Sequence, residues 1–265
     1  MHSGSTLVII PTFEEAENIE TVLRRVRCAA PSVDVLVVDD NSSDGTAMCA
    51  EAVAQELGKI DVLHREHKAG LGSAYRTGFG YGIVRGYDVL VEMDADLSHD
   101  PAALPALIEE AEGGADLVIG SRYVPGGATP AWPFRRRALS RLGNMYAAFA
   151  LGLDASDVTS GFRAFRADAL RRVGFETTHA AGYAFQIELA YRVAQADGRI
   201  VQVPIVFNDR LHGHSKMSLL ITFEALALVT WWAIRDRLLG RGRRSARHRG
   251  WGDTRSGAPA RVGVG

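Results

Sequence analysis

"YDVLVEMDADLSHDP" occupies Tyr87–Pro101, and its reading decides the fold. "VLVEM" has the composition of a buried strand, yet Asp94, Asp96 and Asp100 follow within seven residues. An acid at the end of an apolar strand costs on the order of several kcal/mol if it is desolvated and unpaired. Next comes "DPAALPALIEEAEG", a helix with proline near its first turn. The unit is therefore strand, acidic turn, helix. It recurs outward in both directions. "TLVIIP" (Thr6–Pro11) precedes "EAENIETVLRRVRCA", whose Ile19, Val22, Leu23 and Val26 have helical spacing. "VDVLVVDD" (Val33–Asp40) precedes the helical "SDGTAMCAEAVAQEL". "IDVLHR" (Ile60–Arg65) precedes "GLGSAYRTGFGYGIVRG", a glycine-rich entry to a helix, and "DLVIGSRY" (Asp116–Tyr123) is a fifth strand. Short β-branched strands alternating with helices predict an α/β fold: a mainly parallel central sheet with helices on both faces. The glycines of the third unit do not follow the first strand, so they are not a dinucleotide fingerprint.

After Tyr123 the pattern loosens. "VPGGATPAWPF" is a loop and "RRRALSRLGNMYAAFALGL" an amphipathic helix with a basic start. "DVTSGFRAFRADALRRV" reads as polar, then helical; "GYAFQIELAYRVAQADG" is a helix and "RIVQVPIVFNDR" a strand. "LHGHSK" links into an apolar helix from about Met217 to Leu239. The expected divisions are 1–217 as catalytic domain, 218–239 as interfacial helix, and 240–265 as a basic disordered tail.

The 265 residues carry a net charge of −1, unevenly spread. From Arg235 onward nine arginines face Asp236 and Asp253, a net of +7 that leaves the rest at −8. Cys28 and Cys49, without metal-ligand spacing, are expected as reduced, buried thiols of a cytosolic protein. The N-terminus lacks the pattern of a signal peptide. The longest apolar stretch, Met217–Ile234, is short and interrupted by Glu224, so a transmembrane span is not expected.

Ligands of open parallel sheets bind beyond the carboxyl ends of the strands. Three such ends are polar here: "PTFEEAEN", "DDNSSDGT" and "DADLSHD". Asp39 and Asp40, with no neighbouring cation in the sequence, suit the N–H groups of a nucleobase; the alternative is a plain turn capped by Ser42 or Ser43. Asp94 and Asp96 suit a hard divalent cation shared with phosphate oxygens. Asp100, before Pro101, caps the next helix. His99, His212 and His214 lack metal spacing and read as surface or loop residues. Arg135–Arg137 is either a solvated helix start or part of a site. Gln186 and Glu188 are either buried polar structure or walls of a sugar pocket, and Asp157 is a loop anchor.

Eight segments, in order, carry a resemblance: "VIIPTFEEAENI", "VVDDNSSDGT", "GLGSAYRTGF", "DADLSHDP", "GSRYVPGG", "TSGFRAFR", "GYAFQIE" and "NDRLHGHSK". From about residue 6 to residue 217 the chain resembles family 2 glycosyltransferases of GT-A (Rossmann-like) fold. Within them it is similar to the polyprenol-phosphate (dolichol-phosphate) mannosyltransferases. The resemblance implies transfer of mannose from GDP-mannose to polyprenyl phosphate, with Mg²⁺ or Mn²⁺ as cofactor. It places Pro11, Phe13, Glu15, Val38 and Asp40 around the guanosine. Asp94, Ala95 and Asp96 would contact metal and diphosphate, with Asp94 and Asp96 as the metal ligands. Arg122 would serve the reaction centre, Arg136 and Ser140 the acceptor phosphate, and Arg210 and Lys216 the nucleotide diphosphate. Arg136 and Ser140, four apart, share a helix face. Three positions depart from the family: Phe13 for a frequent tyrosine, Glu14 for asparagine, and Ser98 for a glutamine that is a proposed metal ligand. Serine is short, so water is expected to fill that place.

A phosphate monoester has a second pKa of about 6, so the acceptor is already an anionic nucleophile. The enzyme then has to supply cations on both sides of the anomeric carbon, rather than a base. This predicts in-line displacement with inversion and no covalent intermediate. The implied location is peripheral, on the cytoplasmic face of the plasma membrane. Trp231, Trp232, Arg235 and Arg237 suit an interfacial helix. The alternatives are a core-docking helix and docking on a separate integral-membrane partner protein. No nucleic-acid partner is expected. The competing functions are transfer from a UDP-sugar and a silent nucleotide-binding scaffold at the membrane surface.

Overall fold

The computed structural model describes residues 4–180, 182–208 and 219–238. Arg210, His212, His214, Lys216 and the basic tail lie outside the described residues, and so do the expectations placed on them. Strands β1 (Thr6–Thr12), β2 (Asp34–Asp39), β3 (Ile60–His64), β4 (Val89–Glu92), β5 (Leu117–Ser121), β6 (Arg163–Arg166) and β7 (Ile200–Pro204) form one sheet. Their order is β3-β2-β1-β4-β6-β5-β7. All neighbours are parallel except β6, which runs antiparallel to β4 and β5. The strand order reverses between β1 and β4, and a crevice opens beyond the carboxyl ends of strands at such a switch point. The stretch Tyr87–Pro101 feeds its acids into that crevice.

The helices are α1 (Ala16–Ala29), α2 (Thr46–Leu57), α3 (Leu71–Val84), α4 (Leu104–Glu112), α5 (Phe134–Leu151), α6 (Ala167–Val173), α7 (Gly182–Gln195) and α8 (Leu219–Leu238). Successive strand residues point to opposite faces, and β1 shows the result. Val8 and Ile10 pack with Ile19, Val22, Leu23 and Val26 of α1 and with Leu104 and Leu107 of α4. Leu7 and Ile9 face the other layer, whose core includes Tyr75 and Phe79 of α3, Phe185 and Leu189 of α7, and Val229 of α8. The glycines of α3 serve close packing: a Cβ on Gly78 would stand 2.4 Å from an Ile9 methyl, and one on Gly82 2.3 Å from Leu90.

Several expectations are corrected. β6 lies within a stretch read as polar then helical; its two arginines hide a four-residue strand in which Arg163 is fully buried. β4 ends at Glu92, one residue short of the end of "VLVEM", so the chain leaves the sheet just before the acidic motif. Cys28 and Cys49 are both exposed, not buried. α8 buries Ala225, Val229 and Ala233 and leaves Trp231, Ile234 and Leu238 exposed. The paired indoles therefore part company: Trp232 stacks on Tyr191 at 6.1 Å, while Trp231 faces out. Among the described residues, no helix is long and apolar enough to cross a membrane.

Candidate active site

Three loops at the carboxyl edge carry a non-glycine residue with positive φ: Glu14 (58°) after β1, Asn41 (61°) after β2 and Leu97 (63°) after β4. Such residues are uncommon and collect where a site holds the backbone in place. Behind the first two loops, Asp39 accepts from Thr12 Oγ1 at 2.9 Å and from the Ser42 N–H and hydroxyl at 2.9 and 2.7 Å. Asp44 accepts from the backbone N–H of Thr46 and of Ala16, so it holds the starts of both α1 and α2. The N-cap position of α2 is Gly45, so neither Ser42 nor Ser43 caps the helix, and Asp44 takes its first N–H instead. Glu15 accepts from Asn18 Nδ2 at 2.8 Å. Pro11 and Val38 are register partners in β1 and β2, and Val38 is fully buried. Phe13 carries the Lys68 ammonium 3.6 Å above its ring.

Asp40 is not without a cation. Arg65, at the end of β3, sits 2.8 Å from Asp40 Oδ1. The two residues are distant in sequence, and the parallel pairing of β2 with β3 brings them together. The pair presents donors beside acceptors, a pattern that fits a nucleobase edge better than a lone acid does.

At the end of β4, Asp94 Oδ1 accepts from the Tyr75 hydroxyl at 3.2 Å. The buried Asp96 accepts at Oδ1 from both the N–H and the hydroxyl of Ser98, at 3.0 and 2.5 Å. The serine thus fixes a carboxylate. His99 corrects the surface reading: it is buried, stacked on Phe162 at 5.0 Å. Its Nδ1 accepts from the Asp94 N–H at 3.1 Å, which places its proton on Nε2, 3.9 Å from Asp94 Oδ2. Asp100 caps the following turn by accepting from the Ala102 N–H at 3.0 Å. Among the described residues, no group of three or more His, Cys, Asp or Glu side chains could hold a metal. What the motif offers is two carboxylates, a donor set that suits a hard cation completed by phosphate oxygens and water.

The opposite wall is built around Arg122, only 7% exposed. Asp157 holds it at three points: Nε at 2.7 Å, Nη2 at 2.6 Å and the backbone N–H at 2.9 Å. Thr159 takes another Nη2 hydrogen at 2.9 Å. Burial works against the guanidinium charge, but the Asp157 carboxylate outweighs it and raises the pKa above its usual value. Three of the five guanidinium N–H groups are thereby committed, leaving the two on Nη1 without a hydrogen-bond partner among the described residues. Trp132 lies between Arg122 and Arg136, with the guanidinium carbons 5.3 and 4.1 Å from its ring centroid. Ser140, one turn beyond Arg136 on α5, accepts from the Tyr123 hydroxyl at 2.6 Å. Arg122, Arg136 and Ser140 line one cavity of about 110 Å³, closed by Tyr183 of α7 and Val229 of α8. The resemblance assigned Arg122 to the reaction centre and Arg136 and Ser140 to the acceptor phosphate; the three side chains line this one cavity.

Asp157–Gly161 joins the two walls. Asp157 grips Arg122 at one end, and a Cβ on Gly161 would stand 3.8 Å from Asp94 Oδ2 at the other. Asn144 of α5 ties in the middle, accepting from the Thr159 N–H at 3.1 Å and donating to Thr159 Oγ1 at 3.0 Å. Arg163 holds the segment from within the core, donating at 2.6 Å to the carbonyls of Ser160, Val158 and Gln186. Sequence reading missed this arginine and its register partner Glu92. The available signal was Glu92 itself, a charge inside "VLVEM". Gln186 is buried. Glu188 is structural: it accepts from the N–H groups of His179 and Ala180 and pairs with Arg192 at 2.7 Å.

Burial pushes the Glu92 pKa up to about 8 from 4.5, against the pull of Arg163; burial likewise brings Arg163 down to about 10. Below the unfolded value the acid is neutral in both states. Between 4.5 and about 8 it ionises only in the unfolded chain, so stability falls as pH rises through that window. The full effect is on the order of 5 kcal/mol. Glu92→Gln, which mimics the neutral acid, is expected to match the parent in urea midpoint near pH 5 and to exceed it clearly above pH 8. Parallel pH profiles for the two proteins would mean that Glu92 is ionised throughout.

An open α/β sheet with paired carboxylates at its switch point and facing arginines is the architecture of an enzyme that handles diphosphate-activated substrates. The description glycosyl transferase family 2 matches residues 7–174. The chain is 48% identical over 234 residues to the polyprenol monophosphomannose synthase of Mycolicibacterium smegmatis, covering 88% of each chain. It is 50% identical over 234 residues to the undecaprenyl-phosphate mannosyltransferase of Micrococcus luteus, covering 88% of this chain and 96% of that one. Among solved structures it resembles glucosyl-3-phosphoglycerate synthase of Mycobacterium tuberculosis, determined with Mn²⁺, UDP-glucose and phosphoglyceric acid. The TM-score is 0.64 at 22% identity, over 87% of this chain and 79% of that one. The chain belongs to glycosyltransferase family 2 and has the GT-A fold.

Proposed function

We propose that the protein transfers mannose from GDP-mannose to a polyprenyl phosphate, with inversion at the anomeric carbon. The observation that carries this reading is the clustering of Arg122, Arg136 and Ser140 around one cavity, joined to Asp94 through the Asp157–Gly161 segment. Sequence identity near one half to two polyprenyl-phosphate mannosyltransferases supports the acceptor and the sugar.

In this reading the nucleotide lies across the ends of β1 and β2, near Pro11, Phe13, Glu15, the Val38 backbone and the Asp40–Arg65 pair. Asp94 and Asp96, with Ala95 between them, would hold a divalent cation. When bound, that cation neutralises the leaving GDP. Arg210 and Lys216 are assigned to the diphosphate by resemblance alone. The Nη1 face of Arg122, the Arg136 guanidinium and the Ser140 hydroxyl receive the acceptor phosphate. One of its oxygens attacks the anomeric carbon as the bond to the GDP oxygen breaks, and the electron pair leaves with GDP. No general base is needed, because the nucleophile is already an anion. The protein acts at a membrane surface on the cytoplasmic side.

The test offers GDP-mannose, UDP-glucose and UDP-GlcNAc separately with a short-chain polyprenyl phosphate, detergent and Mg²⁺ or Mn²⁺. Lipid-linked β-mannose from GDP-mannose alone is expected. Transfer from a UDP-sugar instead would replace the donor assignment, and no transfer from any donor would favour a scaffold.

A further inference from the structure

α5 is about 27 Å long at 1.5 Å per residue, and its sequence contains four arginines and no acid. Its buried face is narrow: Asn144, Ala147 and Leu151. On the opposite face Phe134 (77%), Leu142 (62%), Met145 (64%) and Phe149 (83%) are exposed. At 100° per residue these four fall within one quarter of the helix circumference, so they form a continuous apolar strip. Soluble surfaces rarely leave such a strip uncovered without a partner. Tyr146 on α5 and Thr230 on α8 share a hydrogen bond of 2.7 Å, which joins the strip's helix to the helix of the exposed Trp231 and Ile234.

Arg137 and Arg141, also four apart, border this strip and look into a different space from Arg136 and Ser140. Together with Arg122 and the Tyr123–Pro130 loop they line a cavity of about 490 Å³. Their protein contacts are neutral: Arg137 Nη2 reaches the Trp132 carbonyl at 3.5 Å, and Arg141 stands 5.5 Å from the Tyr123 ring centroid. Neither forms an ion pair among the described residues. Two uncompensated guanidiniums in a concave site fit a phosphodiester. An apolar strip beside them fits the chains attached to it.

We propose that the cleft between Arg137, Arg141 and the Tyr123–Pro130 loop binds the phosphate of an anionic bilayer lipid, and that the apolar strip of α5 then lies in the leaflet. This rests on the membrane-surface reading above and deepens it. It identifies a second phosphate site beside the acceptor cavity, with Arg122 in the wall the two share. Tyr123 connects the two, since it stacks near Arg141 and donates to Ser140, so a seated headgroup would leave the acceptor cavity facing the leaflet.

The experiment floats the full chain with phosphatidylglycerol-containing vesicles and with phosphatidylcholine vesicles. Each basic side chain at an anionic surface contributes roughly fivefold, so Arg137→Gln/Arg141→Gln is expected to lower binding to anionic vesicles by more than the roughly thirtyfold that general charge alone supplies. A matched pair outside the cleft, Arg135→Gln/Arg237→Gln, separates a site from general charge; equal loss in both pairs would overturn the site. Short-chain phosphatidylglycerol below its micellar concentration is expected to shift the Arg137 and Arg141 Nε–H resonances saturably. The same shifts from inorganic phosphate would assign a free-anion site instead and overturn the lipid assignment. Phe149→Ser should reduce flotation without changing those shifts, and unchanged flotation would overturn the role of the strip. Transfer to short-chain polyprenyl phosphate in detergent is expected to be unaltered in the cleft variant. If the parent shows no transfer there, the functional reading fails independently of the vesicle result.

Discussion

Asp96→Asn is expected to lower kcat/KM for mannosyl transfer by about a thousandfold while leaving the fold intact. Removing one group aimed at developing charge in a closed site typically costs 10²–10³. Here the lost charge would also weaken the metal site that the proposed mechanism requires. The side chain is buried and already accepts two hydrogen bonds from Ser98. Asparagine keeps the size and one acceptor, so the thermal midpoint should change little. Mn²⁺ titration followed by electron paramagnetic resonance, with GDP present, reads the metal directly. Ser98→Ala sharpens the test, because it removes only the hydroxyl that orients Asp96. Loss of an orienting partner costs 10–100-fold in metal affinity, so Ser98→Ala should fall between the parent and Asp96→Asn in both assays. Full activity in Asp96→Asn would sink the metal assignment.

The sheet was legible because its strands are short apolar runs bounded by turn signals, and that pattern comes from burial on both faces. β6 was not legible, because a strand that presents a buried arginine looks polar. The residues proposed for the donor lie at strand ends, where acids after "VLVEM" or "VLVV" stand out against apolar neighbours. Their partners did not stand out: Arg65 meets Asp40, and His99 meets Asp94, only through sheet pairing and a tight turn. Ser98 could be noted as a departure, but its role as a donor to Asp96 required the αL turn at Leu97. The residues proposed for the acceptor were legible only through resemblance. Arginine in "SRY" and in "RRR" has the composition of any solvated surface, and the Trp132 ring between them gives the cluster its geometry. Asp157 was read as a loop anchor, which holds, although what it anchors is Arg122.

That anchoring gives the second large expected effect. Asp157→Asn should destabilise the protein by about 3–5 kcal/mol, the cost of leaving a buried charge without its partner. Arg122 is 7% exposed, and Asp157 is fully buried, so water cannot replace the lost carboxylate. Urea unfolding reads that loss. Activity should fall as well, since the guanidinium no longer has two oxygens fixing its plane, and Nη1 then points without constraint. Stability and chemistry can be separated with the double variant Arg122→Met/Asp157→Leu. A buried pair replaced by apolar groups of similar volume is often neutral or stabilising, so this variant should recover most of the unfolding free energy. It should nevertheless remain unable to use the polyprenyl phosphate, because the Nη1 donors are gone. If the double variant recovered transfer along with stability, Arg122 would be a structural cation, and the acceptor phosphate would have to be held by Arg136 and Ser140 alone.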